Sequence, residues 1–167
     1  MPTSAGETVM ISADGYEERC RELDALRNEA RRELAERLRE ARQDGDLADN
    51  PMVQDLLEEQ AQLERRIARL DAQLGLAEIV PPATGGRAGI GSILLVRDAD
   101  GATVEYELVG PLESDVRSGR ISIRAPVGQA LVGHRAGARV DVATPRGQRT
   151  LEVVSVRPRG AALKEAA

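Results

Sequence analysis

The stretch "ARQDGDLADNPM", residues 41–52, decides how the first half of this 167-residue chain folds. It separates two long runs of helical pattern and gathers Asp44, Asp46 and Asp49 beside Gly45, Asn50 and Pro51. Before it, Tyr16, Cys20, Leu23, Leu26, Ala30, Leu34, Leu38 and Ala41 recur at steps of three and four, one apolar stripe on a helix. Ser12 is placed to cap that helix, with Asp14 favourable in its first turn. After the stretch, Leu56, Gln60, Leu63, Ile67, Leu70 and Leu74 alternate steps of four and three, a heptad seam with Gln60 as its polar member. Pro51 suits the first turn of this second helix, Asp49 or Asn50 its cap, and Gly75 with Pro81-Pro82 its end. Two stripes joined by a short bend predict an antiparallel hairpin over residues 12–76, with helices ~35–42 Å long at ~1.5 Å per residue. Residues 1–11 read as a loose arm.

Working outward, residues 77–91 read as a Pro- and Gly-containing linker, after which the apolar period changes to two. "SILLVRD" and "TVEYELVG" predict strands around a "DADG" turn, and "RISIR" a third. "PVGQALVG" predicts a short helix from Pro126, and "RVDVAT" and "RTLEVVSV" two more strands around "PRGQ". The expected fold class is α+β: the hairpin, then a five-stranded antiparallel sheet with one helix over residues 92–157, and a tail over 158–167.

Composition narrows the function. The net charge is −5, unevenly placed: residues 16–75 carry 11 basic and 16 acidic side chains, residues 76–167 carry 12 and 10. That balance argues against independent DNA binding and suggests two modules with different partners. There is no Phe or Trp, only Tyr16 and Tyr106, so neither a base-stacking platform nor a ring-lined cleft is expected. Cys20 is the single cysteine and His134 the single histidine, which leaves no intrachain disulfide, zinc site or Cys–His pair; both read as structural. A reducing, cytoplasmic location is expected, with no secretory or membrane-spanning run. No phosphate-binding loop or catalytic triad is present, so the chain is not expected to be an enzyme in itself.

The three aspartates admit two readings. They are caps and solvated loop residues, or they are an acidic probe on a rod that lends carboxylate oxygens to a hard cation held mainly by a partner. Two or three repelling carboxylates would not hold Mg²⁺ alone.

Four stretches resemble the bacterial Gre transcript cleavage factors, from about Ser12 to Val156. They are "SADGY" at the helix start, "GDLADN" (45–50) against the family tip motif Gly-Asp-Leu-x-Glu-Asn, "QAQLERRIARLDAQL" (60–74), and "YELVGPLESDVRSGRISIRAPVGQALVG" (106–133) followed by "TPRG". The resemblance implies a coiled-coil hairpin, an FKBP-like sheet domain that docks on the rim of RNA polymerase's secondary channel, and a tip that reaches the polymerase's catalytic Mg²⁺. It implies no cofactor of the chain's own, a monomer, and chemistry of the two-metal class carried out by the polymerase. The resemblance assigns Asp46, Asp49 and Asp44 to the shared metal and Arg124, Ala125 and Pro126 to docking.

The chain also departs from the family. Asp49 stands where the family has Glu, an arm shorter by about 1.5 Å, whereas metal–oxygen distances vary by only a few tenths of an ångström. "PMV" after Asn50 replaces the family's "AEY", and Arg124-Ala125 replaces Asn-Ser or Asp-Ser before Pro126. A tip with several aspartates is similar to the inhibitory members, so the expectation leans to channel occlusion over stimulated cleavage. Arg37, Arg39 and Arg42 either face the nascent RNA 3′ end or form intrahelical pairs such as Glu33–Arg37. Heptads alone equally suit an adaptor that uses its hairpin to bind another protein.

Overall fold

The computed structural model describes residues 8–43, 50–144 and 147–160. They divide into two compact units: residues up to Gly15 together with those from Glu78 onward, and Tyr16–Ala77.

The second unit is the helical hairpin. α1 (Ala13–Ala25, entering from the other unit), a π-helical turn (Leu26–Ala30) and α2 (Arg31–Gln43) form one run, and α3 spans Pro51–Gly75. The π turn is absent from the sequence-based expectation, yet the spacing explains it. Leu26, Ala30, Leu34 and Leu38 stand in three consecutive steps of four. Each such step overshoots an α-helical turn by roughly 40°, so the stripe would wind away from its partner. One widened turn, closed by the Arg31 N–H on the Leu26 carbonyl, resets it.

The helices run antiparallel, because residues late in one pair with residues early in the other. Arg27 meets Asp71 at 2.9 Å, Arg31 meets Glu64 at 2.6 Å and Arg37 meets Glu59 at 2.9 Å. The expected Glu33–Arg37 pair is thus replaced by an interhelical one: the Arg37 guanidinium reaches across to Glu59. Arg31 and Glu64 form a two-pronged bond, Nε to Oε1 at 2.7 Å and Nη2 to Oε2 at 2.6 Å. That bond holds the Glu64 carboxyl below its ordinary range and the Arg31 guanidinium above its own.

The seam between the helices is split. Leu34, Leu38, Ala41, Val53 and Leu56 make one buried cluster; Leu23, Ile67, Leu70 and Leu74 make another, against which Tyr16 and Cys20 pack. Half-buried Leu63 touches both. At this waist an open cleft of about 420 Å³ lies beside the π turn, lined by Leu26, Ala30, Leu34 and Leu63. Gln60, expected in the seam, is exposed instead, and Val53 is buried. A carboxamide buried among aliphatics would lose its water without gaining partners, so Gln60 stays in water at an open cleft beside Leu38.

The first unit is built on a five-stranded sheet in the order β5-β4-β3-β7-β6. Its strands are β3 (Ser92–Arg97), β4 (Thr103–Val109), β5 (Arg120–Ser122), β6 (Arg139–Thr144) and β7 (Gly147–Pro158). All five fall where the alternation places them, but the sheet is mixed: β5 runs parallel to β4, with Leu108 opposite Ile121. The cause is the connection Gly110–Gly119, whose two short 3₁₀ turns (Pro111–Glu113 and Val116–Ser118) carry the chain back before β5 starts. The "DADG" turn is stapled by Asp98, whose Oδ1 accepts from the N–H groups of Asp100 (3.0 Å) and Ala102 (2.9 Å). The short helix α4 (Pro126–Leu131) crosses the sheet and completes one aliphatic core with Leu94, Leu108, Leu131 and Val153, all fully buried. Gly128 permits the close approach, since a β-carbon there would lie 2.0 Å from the Ser122 carbonyl oxygen.

Two short strands outside this sheet lie in stretches read as arm and linker. β1 (Val9–Ile11) and β2 (Ala77–Ile79) form a two-stranded sheet, extended by the Val80 N–H on the Ile11 carbonyl at 2.9 Å. Three-residue strands carry too little alternation to be read from sequence.

Candidate functional site

The site residues marked in the sequence fall in three places. Asp44, Asp46 and Asp49 lie outside the described residues. The helix ends that flank them are described. α2 closes at Gln43, and α3 opens with Asn50 as cap and Pro51 in its first turn. Of the two expected caps, Asn50 is the one used: its side-chain Oδ1 accepts from the Met52 N–H at 3.0 Å. The same side chain donates from Nδ2 to the Ala41 carbonyl at 3.4 Å. Ala41 and Val53 are buried in one cluster. Met52 is largely exposed, as an apolar residue at this solvated end.

The three arginines of α2 separate into two kinds. Arg37 is engaged by Glu59. Arg39 and Arg42 have no carboxylate partner among the described residues, and they line an open cleft of about 380 Å³ with Gln43, Gln60, Leu38 and Ala35. Sequence periodicity places all three on one helix; only the packing shows which are already neutralised.

Arg124, Ala125 and Pro126 form the turn between β5 and α4. The Arg124 N–H donates to Ser122 Oγ at 3.1 Å, Ala125 caps α4 in an extended conformation, and Pro126 takes the first helical position. Arg124 and Pro126 are exposed and Ala125 half-buried, so the turn presents a fixed surface.

One functional-looking carboxylate was missed. Glu113 is only 3% exposed, in the first 3₁₀ turn of the Gly110–Gly119 connection. Its Oε2 accepts from the N–H groups of Ser12 (2.9 Å) and Gly110 (3.1 Å), its Oε1 from the Ser12 hydroxyl, and Arg120 Nη2 stands 3.6 Å from Oε1. Ser12 Oγ in turn accepts from the Gly15 N–H at 3.0 Å, the cap expected of it. A β-carbon at Gly15 would lie 2.1 Å from Glu113 Oε1. "SADG" and "PLES" are therefore two halves of one contact 101 residues apart in sequence. A glutamate inside an apolar run was the only signal for it. With every oxygen engaged, Glu113 is a structural anchor for the start of α1.

Among the described residues, no group of three or more His, Cys, Asp or Glu could hold a metal ion, and no helix is long and apolar enough to cross a membrane. The run 44–49, outside the described residues, contains three aspartates by sequence.

Comparison with known proteins covers both units. Residues 9–79 match the family model described as transcription elongation factor, N-terminal, and residues 83–158 the one described as transcription elongation factor, GreA/GreB, C-term. The chain is 40% identical over 152 residues to transcription elongation factor GreA of Syntrophobacter fumaroxidans, covering 89% of this chain and 97% of that protein. It is 36% identical over 145 residues to GreA of Novosphingobium aromaticivorans, covering 86% and 91%. A solved structure of the transcription factor Gfh1 is 30% identical and covers 91% of this chain and 99% of its own, with a TM-score of 0.45.

Proposed function

The chain belongs to the GreA/GreB family of transcription elongation factors, and from that premise we propose that it binds RNA polymerase at the secondary channel and occludes it. The sheet unit docks on the channel rim through the exposed turn Arg124-Ala125-Pro126. The hairpin brings Asp46, Asp49 and Asp44 toward the polymerase's catalytic Mg²⁺. The observation that carries the reading is an acidic run set between the two helices of an antiparallel hairpin, in a chain with no catalytic constellation in its sequence.

Asp46 and Asp49, with Asp44 beside them, would hold the cation jointly with ligands from the polymerase. A bound Mg²⁺ supplies a Lewis acid and an activated water for phosphodiester cleavage. Asp49 in place of glutamate leaves that donor set short by about one bond length, which favours plugging the channel over completing a cleavage site. Arg39 and Arg42 face the nascent RNA 3′ end, while Arg37 serves the hairpin through Glu59.

The test adds purified chain to a stalled, backtracked elongation complex and resolves the RNA on a gel. Reduced nucleotide incorporation without RNA shortening is expected. RNA shortened from its 3′ end overturns occlusion in favour of stimulated cleavage. The double variant Asp46→Asn, Asp49→Asn is expected to abolish the effect while polymerase binding persists; loss of binding would move the working end elsewhere.

A further inference from the structure

We propose that the exposed face of α4, together with the two loops at its C-terminal end, is a contact surface for an acidic patch of the polymerase. The choice of polymerase rests on the functional reading above; the surface itself rests on geometry and charge. Residues 80–97 and 116–140 contain seven arginines, His134 and no Asp or Glu. α4 lies inside the second of these stretches. Gly128 and Leu131 form its buried side. Pro126, Gln129 and Val132 are exposed and three residues apart, so they line one face of a helix ~9 Å long at ~1.5 Å per residue. Val132, the residue that closes α4, keeps 40% of its surface in water.

The two loops at that end are fastened to each other. The Ala88 N–H donates to the His134 carbonyl at 2.8 Å, and the Gly133 N–H to the Ala88 carbonyl at 2.7 Å. Arg87 Nη1 donates to the Gly133 carbonyl at 3.1 Å. These bonds set Arg87, His134 and Arg135, all exposed, on one platform. Among the described residues, neither Arg87 nor Arg135 has a carboxylate in ion-pair range. Arg124 stands at the opposite end of α4. The surface therefore reads as a cation, a neutral ridge, and a second cationic end. The docking turn Arg124-Ala125-Pro126 is one end of it.

This order suits a protein face better than a nucleic acid. Three arginines split by a neutral ridge meet too few phosphates to hold RNA at physiological salt. A protein face supplies carboxylates with apolar side chains between them, which matches arginines flanking Pro126 and Val132. Because the loops are already fastened, little ordering remains to oppose the contact.

The test immobilises core polymerase and measures binding of the full chain by biolayer interferometry, with circular dichroism to check that each variant is folded. Arg87→Glu with Arg135→Glu is expected to weaken binding about ten- to a hundredfold. Arg87→Lys with Arg135→Lys, which keeps the charge, is expected to recover most of that loss. Val132→Asp is expected to weaken binding about tenfold. Wild-type affinity is expected to fall more steeply with salt than that of the double glutamate variant. A fluorescent single-stranded RNA is expected not to bind at the same salt. Binding within twofold of wild type in both the double glutamate variant and Val132→Asp overturns the surface and leaves the functional reading standing. A lysine variant as weak as the glutamate one overturns recognition by charge. RNA binding that the glutamates abolish, with polymerase binding unchanged, assigns the surface to RNA and overturns the proposal. Wild-type chain that does not bind polymerase overturns the functional reading, and the polymerase as partner with it.

Discussion

The hairpin and the sheet unit use the same aliphatic vocabulary to different ends. In the sheet unit, one buried cluster draws on strands β3 to β7 and on α4, so each side chain is held from several directions. In the hairpin, the apolar contacts form two short clusters that meet only at Leu63, beside a cleft at the π turn. Its remaining cross-links are exposed ion pairs, which contribute little in water and less in salt. The sheet unit spends its sequence on a fixed body. The hairpin spreads its apolar residues along two helices, with a smaller core at any one point.

The largest expected effect breaks the comparison if it fails. Leu108→Ala, at a fully buried position in the sheet core, should cost about 3–5 kcal/mol, and Leu38→Ala in the distal hairpin cluster nearer 2 kcal/mol. Chemical denaturation followed by far-UV circular dichroism reads both. Equal costs would mean that the hairpin is packed as well as the sheet. A smaller effect sharpens the description of the waist. Ala30→Leu extends a side chain into the cleft and should stabilise the hairpin by about 0.5–1 kcal/mol. It should also slow amide exchange around Leu26–Ala30 and leave the sheet strands unchanged; destabilisation would show that the cleft is not free to be filled.

The smallest effect concerns acid. In the sheet unit, the Ser118 hydroxyl and then the Arg117 N–H bond to Asp115 and hold its carboxyl below the ordinary range. A lowered folded-state value stabilises above the unfolded value of about 3.9, and that contribution is lost as pH falls through the folded value. Acidification from about pH 5 to pH 3 should therefore loosen the Val116–Ser118 turn, seen as faster exchange of the Arg117 N–H, and Asp115→Asn should flatten the dependence. The Glu64 carboxyl, lowered by Arg31, changes with the same sign in the hairpin, but 1 M salt should blunt it more than the hydrogen-bonded Asp115.

Much of this was legible in the chain. Period and punctuation placed the helices, the five strands of the main sheet and α4, because steps of three and four, alternation, Pro51, Pro126 and "DADG" are local signals. The candidate residues were legible for the same reason: Asp44, Asp46 and Asp49 cluster in sequence, and Arg124-Ala125-Pro126 sits at a helix start. Other features were not. Gln60 satisfies the heptad rule and still leaves the seam, since a polar side chain follows water when packing allows it. The partner of Arg37 is on the other helix, which no i,i+4 rule could choose.

By itself the sequence determined which segments are helical or extended and where the acidic run falls between them, since backbone preference and hydrophobic period act over a few residues. Tertiary structure alone decided the parallel entry of β5, the split of the hairpin core, the junction of Ser12 and Gly15 with Glu113, and the double use of Asn50. Each of these depends on groups distant along the chain meeting in space. There, the need to pair every buried polar atom selects among arrangements that local preference leaves equal.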